Sequence, residues 1–162
     1  MTSAIRLELR LVALTAVLVL TLAGPVAAGD QVKFKGRLEG TVTVTPLGPP
    51  MASVLIEATG TASQLGRFTL EIPHLVNQAL QTGSGTYVFT AANGDTLTAA
   101  FAGQASFVSP GVIATHETAV ITGGTGRFAG ATGTFTADRT FFLATGMTVG
   151  SFEGTISSPG QG

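Results

Sequence analysis

The run Val32-Lys33-Phe34-Lys35-Gly36-Arg37-Leu38-Glu39-Gly40-Thr41-Val42-Thr43-Val44 decides the fold. Its even positions are apolar or glycine, and its odd positions are charged or threonine. Side chains that alternate with a period of two point to opposite faces of a strand, so this stretch predicts a long strand with one buried face and fits no helix. Its length is more than a small sandwich needs, so a bend is expected at Gly36 or Gly40.

The rhythm recurs down the chain. Val54, Ile56 and Ala58 alternate with Leu55, Glu57 and Thr59, and Phe68, Leu70 and Ile72 alternate with Arg67, Thr69 and Glu71, until Pro73 is expected to end the strand. The next residues, 74–81, hold the one plausible helical turn. Asn93-Gly94 between the runs ending at Ala91 and starting at Leu97 predicts a hairpin of type I′, whose two central positions both need positive φ. Further strands are expected near 112–122, 132–143 and 148–157, which makes about eight. Eight antiparallel strands with almost no helix leave a sandwich or a barrel. The barrel is favoured because Phe34-Lys35-Gly36 and Phe152-Glu153-Gly154 suit first and last strands that pair to close the sheet.

Composition bounds the class. Of 162 residues 44% are hydrophobic and 10% charged, with a formal net charge of -1, which excludes a disordered chain. Arg6 and Arg10, the apolar run from Leu11 to Leu22 and the small residues Val26-Ala27-Ala28 form a signal-peptide pattern, with cleavage expected near Ala28. The expected organisation is therefore a leader over 1–28 and a single β-barrel domain over 29–162, secreted or periplasmic. Without the leader, six basic and eight acidic residues remain, and Lys33, Lys35 and Arg37 form their sole cluster, so no nucleic-acid footprint is present. There is no cysteine, which excludes disulfides and a thiol nucleophile, and His74 and His116 are too few and too scattered for a metal motif.

The stretch Ile121-Thr122-Gly123-Gly124-Thr125-Gly126-Arg127-Phe128-Ala129-Gly130-Ala131-Thr132-Gly133 resembles the glycine-rich turn of the allene oxide cyclase and dirigent barrel superfamily. With Phe152-Glu153-Gly154-Thr155-Ile156 it is similar to that superfamily's secreted bacterial members. The resemblance implies an eight-stranded barrel and a dimer or trimer, and an activity that is either an isomerising ring closure or the steering of radical coupling. The cysteine of the cyclases is absent, and the dirigent acidic residues find no match by position. On physical grounds Gly123, Gly124 and Gly126 are expected to take positive φ, Phe128 to anchor the turn, and Gly130 and Gly133 to allow close backbone approach. A phosphate loop is excluded by the spacing and by the strand that follows.

Candidate site residues are the polar ones that alternation turns inward. Arg139 shares parity with Phe135, Ala137 and Phe141, so its guanidinium should point into the apolar face, either paired with Glu117 or Glu57 or serving as a hook for an anionic or carbonyl-bearing ligand. His116 and Glu117 occupy opposite faces of one strand, so one of them faces inward. Tyr87 shares parity with Phe89, and its hydroxyl could reach a cavity; His74 is expected to cap a loop. The candidate ligand-binding set is therefore Arg139, Glu117, His116 and Tyr87, with no cofactor, no metal and no catalytic residue assigned. Two functions remain open: a barrel that binds a small apolar ligand or is purely structural, and a cofactor-free isomerase or cyclase using Arg139 with Glu117 or Tyr87. An oligomeric surface protein is a third reading.

Overall fold

The computed structural model describes residues 30–157 and residue 159, so the expected leader and the expected cleavage near Ala28 lie outside the described residues. The eight strands are β1 (Gln31–Gly48), β2 (Met51–Ala62), β3 (Gly66–Asn77), β4 (Thr82–Ala91), β5 (Thr96–Ser109), β6 (Val112–Gly124), β7 (Gly133–Phe142) and β8 (Met147–Ser157). Each pairs antiparallel with its sequence neighbour, and β1 pairs with β8, so the sheet is a closed antiparallel barrel.

Closure follows from the repeated Phe-x-Gly. In the β1–β8 register Phe34 faces Gly154 and Gly36 faces Phe152, so each ring lies beside the other strand's glycine. A Cβ at Gly36 would stand 2.6 Å from the Phe152 ring, so glycine is what lets the aromatic side chain lie flat across the seam. β1 stays one continuous strand across Gly36 and Gly40.

Inward positions assemble an aromatic core. Phe34, Phe68, Phe89, Phe135 and Phe152 interlock with ring centroids between 5.0 and 6.2 Å. Edge-to-face and tilted contacts of this kind add to the stabilisation from burial. Tyr87 stacks on Phe89 and meets Phe101 edge-on, and these two rings form the upper boundary of the packed half.

The glycine-rich stretch closes one end. A short 3₁₀ turn (Gly126–Phe128) drives Phe128 into full burial, and Arg127 lies over that ring and donates to the Leu65 carbonyl. The roles of two glycines are the reverse of those expected. Gly124 is the close-approach residue, since a Cβ there would meet Phe128 Cβ at 2.8 Å, whereas Gly130 takes positive φ with open space around it.

Two further expectations are corrected. β3 runs through Pro73 to Asn77, and residues 78–81 form a turn, not a helix, with Asn77 Oδ1 accepting from the Ala79 and Leu80 amides. Pro73 is tolerated because β3 and β4 make no register pair at residues 72 and 73, so the missing N–H leaves no gap in a regular ladder. The Asn93-Gly94 hairpin forms, but only Gly94 has positive φ. Ala91 N–H donates to Asp95 O and Gly94 N–H to Ala91 O, which makes a three-residue loop where a type I′ turn was expected.

Candidate functional site

The half of the barrel away from the glycine-rich turn is hollow. A cavity of about 430 Å³ opens between the four hairpins β1–β2, β3–β4, β5–β6 and β7–β8. Its wall is mostly aliphatic, with Val42, Val54, Ile56 and Val76 on one side and Ile113 and Phe141 on the other. Its polar lining residues are Arg139, Thr115 and His74 on the strands, with Gln78, Gln81 and Ser106 nearer the hairpin ends.

The alternation of β7 turns Arg139 inward, and that of β6 does the same for Glu117 and Thr115. Arg139 and Glu117 are both buried and form a two-point ion pair: Nε donates to Oε2 at 3.2 Å, and Nη2 donates to Oε1. Tyr87 donates its hydroxyl proton to the same Oε2. Side-on pairing of a guanidinium with a carboxylate satisfies both charges where water is excluded. Burial works against the Arg139 charge, but the Glu117 carboxylate and Tyr87 together outweigh it and hold the pKa above the ordinary arginine value. Burial, together with that carboxylate, raises the Tyr87 pKa well above the usual phenol range.

Glycine makes room for this pair. Gly103 lies opposite Glu117 and Gly150 opposite Arg139, and a Cβ at either position would stand 2.5 Å from the Cγ of the charged residue. Sequence reasoning missed both glycines. Their signal was parity, since each falls at an inward position of a strand adjacent to an inward charge.

Arg139 keeps donors in reserve. Among the described residues its Nη1 has no protein acceptor, and Thr115, its register partner on β6, has a buried Oγ1 that is likewise unpartnered. His74 belongs to β3, not to a loop as expected, and borders the cavity with its ring edge-on to Phe101. Its Nδ1 lies 2.9 Å from the Ile72 carbonyl, so that nitrogen carries the proton and donates, leaving Nε2 as an acceptor. Burial lowers the His74 pKa and favours the neutral ring.

Of the predicted residues, Arg139, Glu117 and Tyr87 come together, while His116 is separated from them. His116 faces outward and donates from Nδ1 to Asp138 Oδ1 at 2.7 Å, because Glu117 takes the inward position on β6 and neighbours on a strand alternate. Glu57, the other partner considered for Arg139, is exposed on the outer wall. Tyr87 lies beneath the cavity floor, its hydroxyl engaged by Glu117. Among the described residues no group of three His, Cys, Asp or Glu side chains is arranged to hold a metal.

Comparison with solved structures bears on the barrel itself. The pterocarpan synthase dirigent protein GePTS1 superposes with a TM-score of 0.55 at 15% identity, over 82% of this chain and 90% of that one. A second pterocarpan synthase dirigent protein, PsPTS1, gives a TM-score of 0.57 at 13% identity, over 80% of this chain and 96% of that one. The fold is a dirigent-like barrel. No protein-family model matches the sequence, and the search of curated proteins finds no match. At these identities the dirigent likeness extends to the strand order and closure of the barrel, and the residues of the cup are this chain's own.

Proposed function

We propose that this dirigent-like barrel binds a small, mostly apolar molecule in its open half and presents that molecule's carbonyl or carboxylate oxygen to Arg139. The observation that carries this reading is the pairing of a mostly aliphatic cavity of about 430 Å³ with a buried guanidinium whose Nη1 has no acceptor among the described residues. That volume is within the range of small-molecule sites, which combine apolar walls with a few placed polar groups. Thr115 Oγ1, buried and unpartnered beside Arg139, offers the second contact for the same oxygen. The leader pattern over residues 1–28 supports a protein that acts outside the cytoplasm.

Two fluorescent probes test it: uncharged 1-N-phenylnaphthylamine and the apolar carboxylate cis-parinaric acid. Both are expected to brighten on binding. Replacing Arg139→Met together with Glu117→Leu should leave phenylnaphthylamine binding intact and weaken parinarate by roughly tenfold or more, the scale of a lost charge-assisted hydrogen bond. If neither probe brightens with the unmodified barrel, the binding reading fails.

A second reading is a cofactor-free isomerase. It is favoured by His74, whose neutral ring presents Nε2 as a base in the same cavity as the Arg139 cation. A base and a fixed cation in a low-dielectric cup could move a proton on carbon next to a carbonyl. Proton abstraction from 5-nitrobenzisoxazole measures such a base without knowledge of the natural substrate. Turnover above solution that His74→Gln removes would support the isomerase, and its absence would leave the binding reading alone.

A further inference from the structure

Charge in this protein is sorted along the barrel axis. Residues 40–56, 72–94, 96–116 and 140–152 contain no Asp, Glu, Lys or Arg, and each stretch holds one of the four hairpin turns around the mouth of the cup. The ionised side chains of the outer surface, such as Lys35, Arg37, Arg67, Arg127 and Glu153, belong to the other half. Each of the four uncharged tips also carries a large exposed hydrophobic residue: Leu47 on β1–β2 (57% exposed), Leu80 on β3–β4 (70%), Phe107 on β5–β6 (63%) and Leu143 on β7–β8 (49%). Isolated exposed leucines are common on proteins, but one per tip encircling an apolar opening, with no charge between them, is an organised surface.

We propose that the open end docks on a lipid bilayer, its four apolar tips entering the boundary between headgroups and acyl chains with the mouth of the cup against the membrane. The form of the surface selects this occupant. The four exposed hydrophobics lie on four different hairpins around one opening, with Phe107 and Leu143 also lining its mouth, so a rigid protein partner would need a matching socket for each, whereas a fluid interface yields to each tip independently. A second copy placed mouth to mouth would meet only at the tips and enclose a void, which forfeits packing. Below the tips the outer wall mixes the hydroxyl-bearing Thr43 and Thr41 with the exposed Leu55 and Met147 beside them, and it then meets the exposed carboxylates Glu39, Glu57 and Glu71, where penetration stops, unlike the uncharged band of a membrane-spanning barrel. With no cation at the rim, attachment does not depend on lipid charge. Tip insertion needs no ligand in the cup; because Phe107 also lines the cavity mouth, the effect of Leu80→Glu, at a tip residue outside the cavity lining, is what separates tip insertion from a lipid chain entering the cup.

The chain contains no tryptophan, so a single introduced indole reports without background. The test uses the barrel from Gly29 onward, whose eight strands close on one another, in Phe107→Trp and Val120→Trp forms. Val120 is equally an exposed hydrophobic, but it lies on β6 towards the glycine-rich end. With vesicles of phosphatidylcholine alone, Phe107→Trp emission should shift to the blue and be quenched by lipids brominated on the acyl chains, while Val120→Trp is unaffected. Adding phosphatidylserine, or raising NaCl from ~0.1 to ~1 M so that the screening length falls from about 10 to about 3 Å, should change binding little. Leu80→Glu should weaken vesicle binding by about tenfold or more, the loss expected from one buried leucine. The proposal is overturned by an unshifted Phe107→Trp spectrum, by equal quenching at Val120→Trp, or by binding that requires phosphatidylserine and disappears in salt. It is also overturned by a dimer that forms without vesicles and that Leu80→Glu dissolves, which would assign the tips to a second copy.

Discussion

At the scale of single residues, the buried trio Tyr87, Glu117 and Arg139 sets how the protein responds to pH and to mutation. Tyr87 is the only tyrosine, so phenolate absorbance titrates it alone. Its folded-state pKa is raised, so its contribution to stability is complete below the unfolded value of about 10 and is lost as pH rises above it. The phenolate signal should therefore appear only as the barrel unfolds in alkali, and an ordinary titration near pH 10 in the folded protein would show that the hydroxyl is not buried against Glu117. Removing one member of the ion pair strands the other: Glu117→Ala should cost about 3–5 kcal/mol in chemical denaturation, while Glu117→Leu with Arg139→Met should recover most of that loss. A double variant as unstable as the single one would mean that the pair stabilises the fold outright. His74 has the opposite sign of linkage. Its lowered pKa gives stability that is present above the unfolded value of about 6.5 and lost as pH falls, and His74→Gln should flatten that part of the stability curve.

At the scale of elements, inward glycines act as sockets for bulky or charged side chains on the neighbouring strand. Gly150→Ala places a methyl against Arg139 Cγ and should destabilise by about 1–3 kcal/mol, measured by urea unfolding. The glycine-rich turn depends on its anchor. Phe128→Ala removes a fully buried ring beneath that turn and should cost about 3–5 kcal/mol in the same measurement, whereas a loss below ~1 kcal/mol would make the turn a dispensable flap. Periodicity made the strands and their inward faces readable, because side-chain direction in a strand depends only on parity. It could not tell Gly124 from Gly130, since whether a glycine is needed for positive φ or for close approach depends on which backbone passes beside it. Nor could it extend β3 past Pro73, because tolerance of proline depends on whether the neighbouring strand asks for its N–H.

At the scale of the whole molecule, the barrel divides into a packed aromatic half and an open cup, with the ion pair at the boundary between them. Its closure joins residues 31–41 to 147–157, a non-local pairing, so folding followed by Tyr87 fluorescence should relax in milliseconds to seconds; a much faster phase carrying the full amplitude would mean that closure is not part of the barrier. The alternating polarity of the chain was sufficient by itself to determine an all-β fold and the inward direction of Arg139, and the repeated Phe-x-Gly favoured a closed barrel over a sandwich, because each rests on parity or on a repeated local pattern. It could say that one of His116 and Glu117 faces inward, but only the three-dimensional structure chose Glu117. That choice, the reserve donors of Arg139, the hollow above Tyr87 and the gathering of four uncharged tips at one rim depend on register and on distance between segments far apart in the chain. Side-chain rhythm along a strand carries no information about which residues of another strand will stand opposite.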